Sequence, residues 1–131
     1  MYVSLVVWDL TESDATVESL RHYLSDYAVD AYSTLEGMRL KAWFSNPDKQ
    51  IWGAIYLWDA LGNMDGPSKV SRAIELIGYP PTSSGIFELE ATAEGHSAYA
   101  VLSGLGNALA GKRGAGGQAP PAAQEVARRA P

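Results

Sequence analysis

The sequence predicts an α+β domain in which two helices pack on a four-stranded antiparallel sheet. Four segments have the apolar pattern of β-strands, and two others repeat their apolar residues at helical spacing. Their order is strand, helix, strand, strand, helix, strand, which is the split βαβ or ferredoxin-like arrangement. With 131 residues and 47% hydrophobic composition, the chain is long enough for one domain with a substantial core.

The first strand and helix occupy the N-terminal part of the chain. A valine-rich apolar run predicts a strand from Tyr2 to Trp8. Several residues that favour a helix N-cap follow it: Asp9, Thr11, Ser13 and Asp14. Apolar residues at spacings of three and four then form one helical stripe: Val17, Leu20, Leu24, Tyr27, Ala28, Ala31 and Leu35. Gly37 is the expected left-handed stop of this helix.

The next two strands are predicted to form a hairpin, from Met38 to Ser45 and from Ile51 to Asp59. A register that pairs Ser45 with Trp52 keeps the aromatic residues together on one face, whereas a slip by one residue would mix the two faces. The same register gives three further pairs: Trp43 with Ala54, Lys41 with Tyr56, and Arg39 with Trp58.

The remaining elements follow Gly66-Pro67. A second helix is predicted there with Val70, Ala73, Ile74 and Ile77 on one side, and it ends at Gly78. The last strand is predicted from Gly85 to Glu94, with Phe87, Leu89 and Ala91 facing inward. We therefore assign residues 1–95 to the domain and 96–110 to a weakly amphipathic helical extension. Residues 111–131 form an Ala/Gly/Pro-rich tail that is expected to be flexible.

The predicted sheet has two apolar faces. One is aliphatic and contains Val3, Leu5, Val7, Leu40, Ala42, Ile55 and Leu57, and the other is aromatic and contains Trp8, Trp43, Trp52, Tyr56 and Trp58. The helices of a small domain can cover only one face, and we expect them on the aliphatic one. The aromatic face would then need a second subunit, a ligand or both. We also expect the first and third strands to be parallel neighbours, with Trp8 beside Trp58.

Composition excludes several classes of function. The formal charge of −5 and the scattered basic residues argue against a nucleic-acid partner. No apolar run approaches the ~20 residues that span a bilayer, so we expect a cytoplasmic protein without a membrane partner. The chain has no cysteine and two histidines, which disfavours a metal site, and it lacks glycine-rich phosphate loops.

The aromatic face carries the candidate functional residues. Aromatic walls bind flat apolar ligands, and Arg39, Lys41 and Glu88 lie in phase with them. Lys41 beside the Tyr56 hydroxyl would stabilise an enolate or phenolate on such a ligand. The same residues would serve equally well as a dimer interface, because aromatic residues and arginine are enriched there.

Four segments resemble a known family: Gly37-Met-Arg-Leu-Lys-Ala-Trp43, Trp52-Gly-Ala-Ile-Tyr-Leu-Trp58, Ser71-Arg-Ala-Ile-Glu-Leu-Ile-Gly78 and Phe87-Glu-Leu-Glu-Ala91. Over about residues 1–95 the pattern is similar to the YdhR-like monooxygenase branch of the dimeric α/β-barrel superfamily, whose members include antibiotic-biosynthesis monooxygenases. The resemblance implies a homodimer in which two sheets face each other as a barrel, with a pocket lined by each non-helical face.

The resemblance also implies an oxidoreductase: a monooxygenase without cofactor or metal, acting on a planar aromatic or polyketide-type molecule. Lys41, Tyr56 and Arg39 are the catalytic candidates. The substrate-binding candidates are Trp8, Trp43, Trp52, Trp58 and Glu88. Two alternatives stay open. One is an isomerase or cyclase of the same fold, and the other is a non-catalytic binding or assembly protein whose aromatic face is only the dimer core.

Overall fold

The sheet has the strand order β2-β3-β1-β4, and every neighbouring pair is antiparallel. The computed structural model describes residues 1–111. Its elements, in chain order, are β1 (Tyr2–Asp9), α1 (Val17–Tyr23), a π-helical turn (Leu24–Ala28), α2 (Val29–Tyr32), β2 (Met38–Asn46), β3 (Ile51–Trp58), a 3-10 turn (Leu61–Asn63), α3 (Pro67–Val70), α4 (Ala73–Ile77), β4 (Ser83–Glu88) and a 3-10 turn (Asn107–Leu109). The α+β, ferredoxin-like fold is confirmed.

The expectation that β1 and β3 are parallel neighbours is wrong. The helical crossover returns the chain so that β1 and β2 point the same way, and β3, which reverses through the hairpin, lies between them. β3 is therefore antiparallel to β1. Trp8 pairs with Trp52, while Trp58 pairs with Tyr2 at the other end of the strand. Trp8 and Trp58 are thus separated rather than adjacent.

The hairpin register is confirmed over most of its length. Ser45 pairs with Trp52, Trp43 with Ala54, and Lys41 with Tyr56. The pairing of Arg39 with Trp58 is wrong, because the register shifts between Met38 and Leu40 and Met38 takes the place opposite Trp58. Arg39 lies at this irregularity and is exposed.

The first helical segment runs from Val17 to Tyr32 and contains a π turn at its centre. Its N-cap is Thr16, which is not among the residues predicted for this role. The Thr16 side chain accepts a hydrogen bond from the Ser19 backbone N–H, and the Ser19 hydroxyl accepts one from the Thr16 backbone N–H. The helix ends at Tyr32, earlier than predicted, and Gly37 adopts the left-handed φ of +74° in the turn before β2.

The second predicted helix is split into α3 and α4. Ser71 between them is extended, with ψ of 135°, which interrupts the helical hydrogen bonding. α4 ends as predicted at Gly78, whose φ is +103°. β4 starts and ends earlier than predicted, at Ser83–Glu88 rather than Gly85–Glu94.

The helices cover the aromatic face of the sheet, so the predicted assignment of the two faces is wrong. Trp8, Trp52, Tyr56 and Trp58 are buried on this core face, where Trp58 is 1% exposed. The indole N–H groups find acceptors there, since Trp8 donates to the Tyr79 carbonyl at 2.9 Å and Trp58 to the Ser4 hydroxyl at 2.9 Å. Burying the larger side chains removes more apolar area from water, which favours this packing.

The aliphatic face is the exposed one. We call it the open face, and its paired positions include Val3, Leu5, Val7, Leu40, Ala42, Phe44, Ile55, Leu57 and Phe87. Ile55 is 41% exposed and Phe87 is 55% exposed. The Phe44 ring lies over Gly53, where an added Cβ would approach the ring to 2.4 Å. The Phe44 ring can therefore pack on the strand only because residue 53 has no side chain.

Met1–Ala91 forms one compact unit and a second begins at Thr92. Between Thr92 and Gly111 the structure has the single 3-10 turn and no α-helix, in contrast to the extension predicted over 96–110. Gly104 and Gly106 have φ values of +87° and +120°, which an α-helix does not accommodate. The predicted tail falls, apart from Gly111, outside the described residues. Up to Gly111, no helix is long and apolar enough to cross a membrane.

Candidate functional site

Lys41 and Tyr56 form a hydrogen-bonded pair on the core face. They are opposite one another in neighbouring strands, so the pleat directs both side chains toward the helices. Lys41 Nζ lies 2.7 Å from the Tyr56 hydroxyl oxygen. The sequence prediction placed these two groups side by side, and their contact follows from the confirmed register.

Aromatic rings surround the Lys41 amine. Nζ lies 3.3 Å from the ring centroid of Tyr32, 4.4 Å from that of Trp43 and 4.3 Å from that of Tyr56. We call these three rings the Lys41 cage. Tyr32 packs edge-on against Trp43 with ring centroids 5.4 Å apart. Within residues 1–111, no carboxylate forms an ion pair with Lys41, so the amine has rings and a hydroxyl as its partners.

Burial changes the protonation of this pair. Desolvation lowers the pKa of Lys41 from 10.5 to about 6, because the cage replaces water around the ammonium. Burial likewise raises the pKa of Tyr56, and the nearby Tyr32 adds to this effect. At neutral pH the pair is therefore a free amine hydrogen-bonded to a protonated phenol, which is the arrangement of a base and a proton relay.

Tyr56 also forms part of the wall of a cleft. The cleft has a volume of about 460 Å³ and lies between the core face and the segment around α3. Its lining residues are Ser4, Leu5, Val6, Tyr56, Trp58, Met64, Pro67, Ser84, Gly85 and Ile86. The rings of Tyr56 and Trp58 are stacked, with centroids 5.3 Å apart and planes inclined by 15°. The cleft thus has one flat aromatic wall and no charged lining residue.

The other candidate residues are dispersed over the domain. Trp43 belongs to the Lys41 cage, and Trp58 lines the cleft. Trp8 and Trp52 pair with each other toward the opposite end of β1 and β3. Two candidates are exposed and outside the cleft lining: Arg39 at the irregularity in β2 and Glu88 at the end of β4.

Sequence analysis missed Tyr32 and Ser4. Tyr32 is 2% exposed and completes the cage. The predicted apolar stripe contained its neighbour Ala31 instead. The π turn explains the difference, since a wider turn brings residues spaced by four into line. The buried residues of this helix are Leu20, Leu24, Ala28 and Tyr32, and that regular spacing was the available signal. Ser4 carried no signal of its own.

Within residues 1–111, no three His, Cys, Asp or Glu side chains come together in a way that could hold an ion. His22 lies instead 3.5 Å from Glu18, one turn earlier in α1.

Six chains of solved structures are similar to this one, among them the following two proteins. Each is named "putative antibiotic biosynthesis monooxygenase". The protein from Chloroflexus aurantiacus J-10-fl is 14% identical, with a TM-score of 0.46 over 73% of this chain and 96% of that one. The protein from Deinococcus radiodurans is 19% identical, with a TM-score of 0.43 over 74% and 98%. No family model and no curated protein matches the sequence.

Proposed function

We propose that this protein is an enzyme that removes a proton from a planar aromatic molecule bound in the cleft, as the first step of a cofactor-independent monooxygenation. One observation carries the proposal: a caged lysine amine is hydrogen-bonded to a tyrosine that forms the cleft wall. A free amine at neutral pH is a competent base, and Tyr56 connects it to the ligand space.

Proton transfer would pass through Tyr56. A phenol or an activated C–H of the ligand gives its proton to the Tyr56 hydroxyl oxygen, while the hydroxyl gives its own proton to Lys41 Nζ. Tyr56 is thus never left as a phenolate, in accordance with its raised pKa. The ammonium formed faces the cage rings, an arrangement worth about 2 kcal/mol or more when desolvated. Negative charge stays on the ligand beside this cation.

The Tyr56 ring, which is supported by the stacked ring of Trp58, favours a flat ligand. Offset stacking adds about 0.5–1.5 kcal/mol per ring pair beyond the burial of apolar area. Because no charged residue lines the cleft, an uncharged ring system is preferred over a carboxylate or phosphate.

Molecular oxygen would be the oxidant for the deprotonated ligand. The ligand supplies the electrons: a ring CH₂ group and O₂ give a ring C=O group and water. The resemblance of residues 1–95 to the YdhR-like branch supports this class of reaction, but the pocket that it implied lies on the non-helical face, whereas the cleft and the Lys41–Tyr56 pair lie on the core face. Lys41 and Tyr56 act in its proton step. Trp43 packs against the amine, and the buried Trp58 ring supports the Tyr56 ring from behind.

The test compares Lys41→Met and Tyr56→Phe with the control Lys49→Met, which changes an exposed loop lysine. Oxygen uptake is measured with a panel of anthrones and hydroquinones. We expect the two site variants to lose about 10²–10⁴-fold in turnover, and the control to keep it. Wild-type activity should fall below about pH 6, where Lys41 is protonated. Full turnover in both site variants would refute the roles of Lys41 and Tyr56, and product formation without oxygen uptake would instead indicate an isomerase or cyclase.

We propose further that two copies associate through their open faces, as the resemblance implies. The paired positions of this face carry mainly apolar side chains with glycine and serine, and several large ones are exposed; Asp9 and Asn46 are polar and lie at one end of the face. Continuous apolar surface of this kind marks an interface. Because each copy presents the same patch, a twofold arrangement is self-complementary.

Ile55→Lys tests this association, since Ile55 lies on the central strand β3 of the open face. Its matched control is Ile74→Lys, at an exposed position of α4. Sedimentation velocity should show a dimer for wild type and control, and a monomer for Ile55→Lys. A monomeric wild type at tens of micromolar would contradict the interface.

A further inference from the structure

The cleft contains a hydroxyl that the proposed function does not use, that of Ser4. Ser4 lies on β1 directly opposite Tyr56 of β3, so the pleat directs both side chains to the core face, and both line the cleft. The Tyr56 hydroxyl is bonded to Lys41 of β2, which lies on the other side of β3. The cleft therefore has a second polar position, on the β1 side of Tyr56 and away from the Lys41 amine.

The Ser4 side chain is held by a hydrogen bond with Trp58. The indole N–H donates to Ser4 Oγ at 2.9 Å, and Trp58 itself is 1% exposed. A serine hydroxyl has one donor and two acceptor lone pairs, so this bond leaves the O–H proton of Ser4 free to be donated. Within residues 1–111, no protein group accepts that proton. Ser4 therefore presents a hydrogen-bond donor of fixed position to the cleft.

The other two hydroxyls of the cleft lining differ from that of Ser4. The Tyr56 hydroxyl is already bonded to Lys41 Nζ at 2.7 Å. Ser84 lies on the edge strand β4 and is exposed, and no hydrogen bond to a described residue holds its side chain. Ser4 is half-buried. A donor that is already held in place loses less to ordering and to competition with water than an exposed side chain does.

The rest of the lining limits what Ser4 can bind. Apart from its three hydroxyl-bearing residues, the cleft is lined by apolar and aromatic side chains and one glycine. A carboxylate or phosphate would lose its hydration there and find no charged lining residue in return. The carbonyl oxygen of an uncharged ring system costs much less to desolvate, and one hydrogen bond from Ser4 compensates for that loss.

We propose that Ser4 determines the specificity of the cleft by donating a hydrogen bond to a carbonyl oxygen on a flat, uncharged ring system. The ring lies against Tyr56, with its carbonyl edge on the β1 side of the cleft. Another edge of the ring then faces the Tyr56 hydroxyl. The bond to Ser4 thus selects which ring position is presented to the Lys41–Tyr56 pair. Ser4 acts on the ligand of the proposed function, so this inference rests on that function.

The test compares two ligands that differ at one group. Fluorene and fluorenone have the same flat tricyclic skeleton, with a CH₂ group in fluorene and a carbonyl group in fluorenone. Their dissociation constants are measured by equilibrium dialysis under nitrogen, which prevents oxidation, and the ratio of the two constants is compared between variants. We expect Ser4→Ala to lower the relative affinity for fluorenone about three- to tenfold, the value of one neutral hydrogen bond.

Two variants are controls for this ratio. Ser4→Thr keeps the hydroxyl and should keep the ratio of wild type. Ser45→Ala should keep it as well, because Ser45 is a half-buried serine on the same face of the sheet but outside the cleft lining. Ser4→Ala also removes the acceptor of the Trp58 N–H, and this loss affects both ligands alike. An unchanged ratio in Ser4→Ala would overturn the proposal, as would the absence of fluorenone binding to wild type.

If Ser4→Ala does not fold, the infrared band of the ¹³C-labelled carbonyl in bound fluorenone decides. A hydrogen bond moves this band to lower wavenumber than in an apolar solvent, and we expect that shift in wild type. A band at the apolar position would overturn the proposal. A shift that disappears in Tyr56→Phe or in Ser84→Ala would assign the bond to another hydroxyl and would overturn it too.

The outcome is separate from that of the proposed function, because fluorenone has no proton that the Lys41–Tyr56 pair could remove. A changed ratio in Ser4→Ala, together with full turnover in Lys41→Met and Tyr56→Phe, would support the role of Ser4 and refute the proton step. An unchanged ratio, together with lost turnover in Lys41→Met and Tyr56→Phe, would refute only the role of Ser4.

Discussion

The pKa of Lys41 predicts an unusual dependence of stability on pH. In the unfolded chain the pKa of this lysine is 10.5, and in the folded protein it is about 6. The unfolded state therefore binds more protons between these values, so the free energy of unfolding rises with pH there and levels off above about 10.5. Each pH unit within the window contributes about 1.4 kcal/mol. Between pH 7 and pH 9 the contribution of Lys41 is about 3 kcal/mol.

Lys41→Met removes the titrating amine and keeps an unbranched side chain of similar length. Urea unfolding of wild type and variant at pH 7, 8 and 9 gives the difference in unfolding free energy at each pH, in which the titrations of all other groups cancel to first order. We expect this difference to change by about 3 kcal/mol, with wild type gaining. The control Lys49→Met should follow wild type. A difference that is constant over this range would refute the desolvated amine.

Three further substitutions test individual contacts of the domain, the first beside the cleft and the other two away from it. Ser4→Ala removes the acceptor of the buried Trp58 N–H and should lower the free energy of unfolding by about 1–3 kcal/mol; an unchanged urea midpoint would contradict this bond. Thr16→Ala should cost about 1 kcal/mol through loss of the N-cap, and equal stability would show that the helix does not depend on it. Gly53→Ala should cost about 1–3 kcal/mol because its Cβ meets the Phe44 ring, measured as a lower melting temperature than that of wild type.

The strand register could be predicted because it follows from local pattern. Trp52, Tyr56 and Trp58 lie on one face of β3, and the register that pairs Ser45 with Trp52 places Trp43 and Lys41 of β2 on the same face. Three of the four predicted pairs are present, including the contact of Lys41 with Tyr56. The fourth pair, Arg39 with Trp58, is absent because the register shifts between Met38 and Leu40. The alternation of apolar and polar residues does not indicate this shift. The contact between Lys41 and Tyr56 could thus be predicted from the sequence, but the aromatic cage around Lys41 could not.

The assignment of faces could not be predicted in the same way. Both faces are apolar, and pattern alone does not say which one receives the helices. The deciding contacts come from Tyr32, which meets Trp43 and Tyr56 and closes the cage. Tyr32 reaches this position through a π turn, which changes the phase of the helix, and the spacing of four between its buried residues is the sequence signal of this change. The cage therefore depends on a feature of the helix that periodicity of 3.6 residues cannot show.

The observed faces separate two roles that the sequence analysis assigned to one surface. The cage and the cleft lie on the core face, while association is proposed for the open face. A substitution that breaks the dimer should then leave the site intact. We expect Lys41 in Ile55→Lys to titrate near pH 6, as in wild type, when followed by ¹⁵Nζ NMR. A titration midpoint that returns toward 10.5 in the monomer would show that the second subunit builds the site, because only restored hydration of the amine raises its pKa in this way.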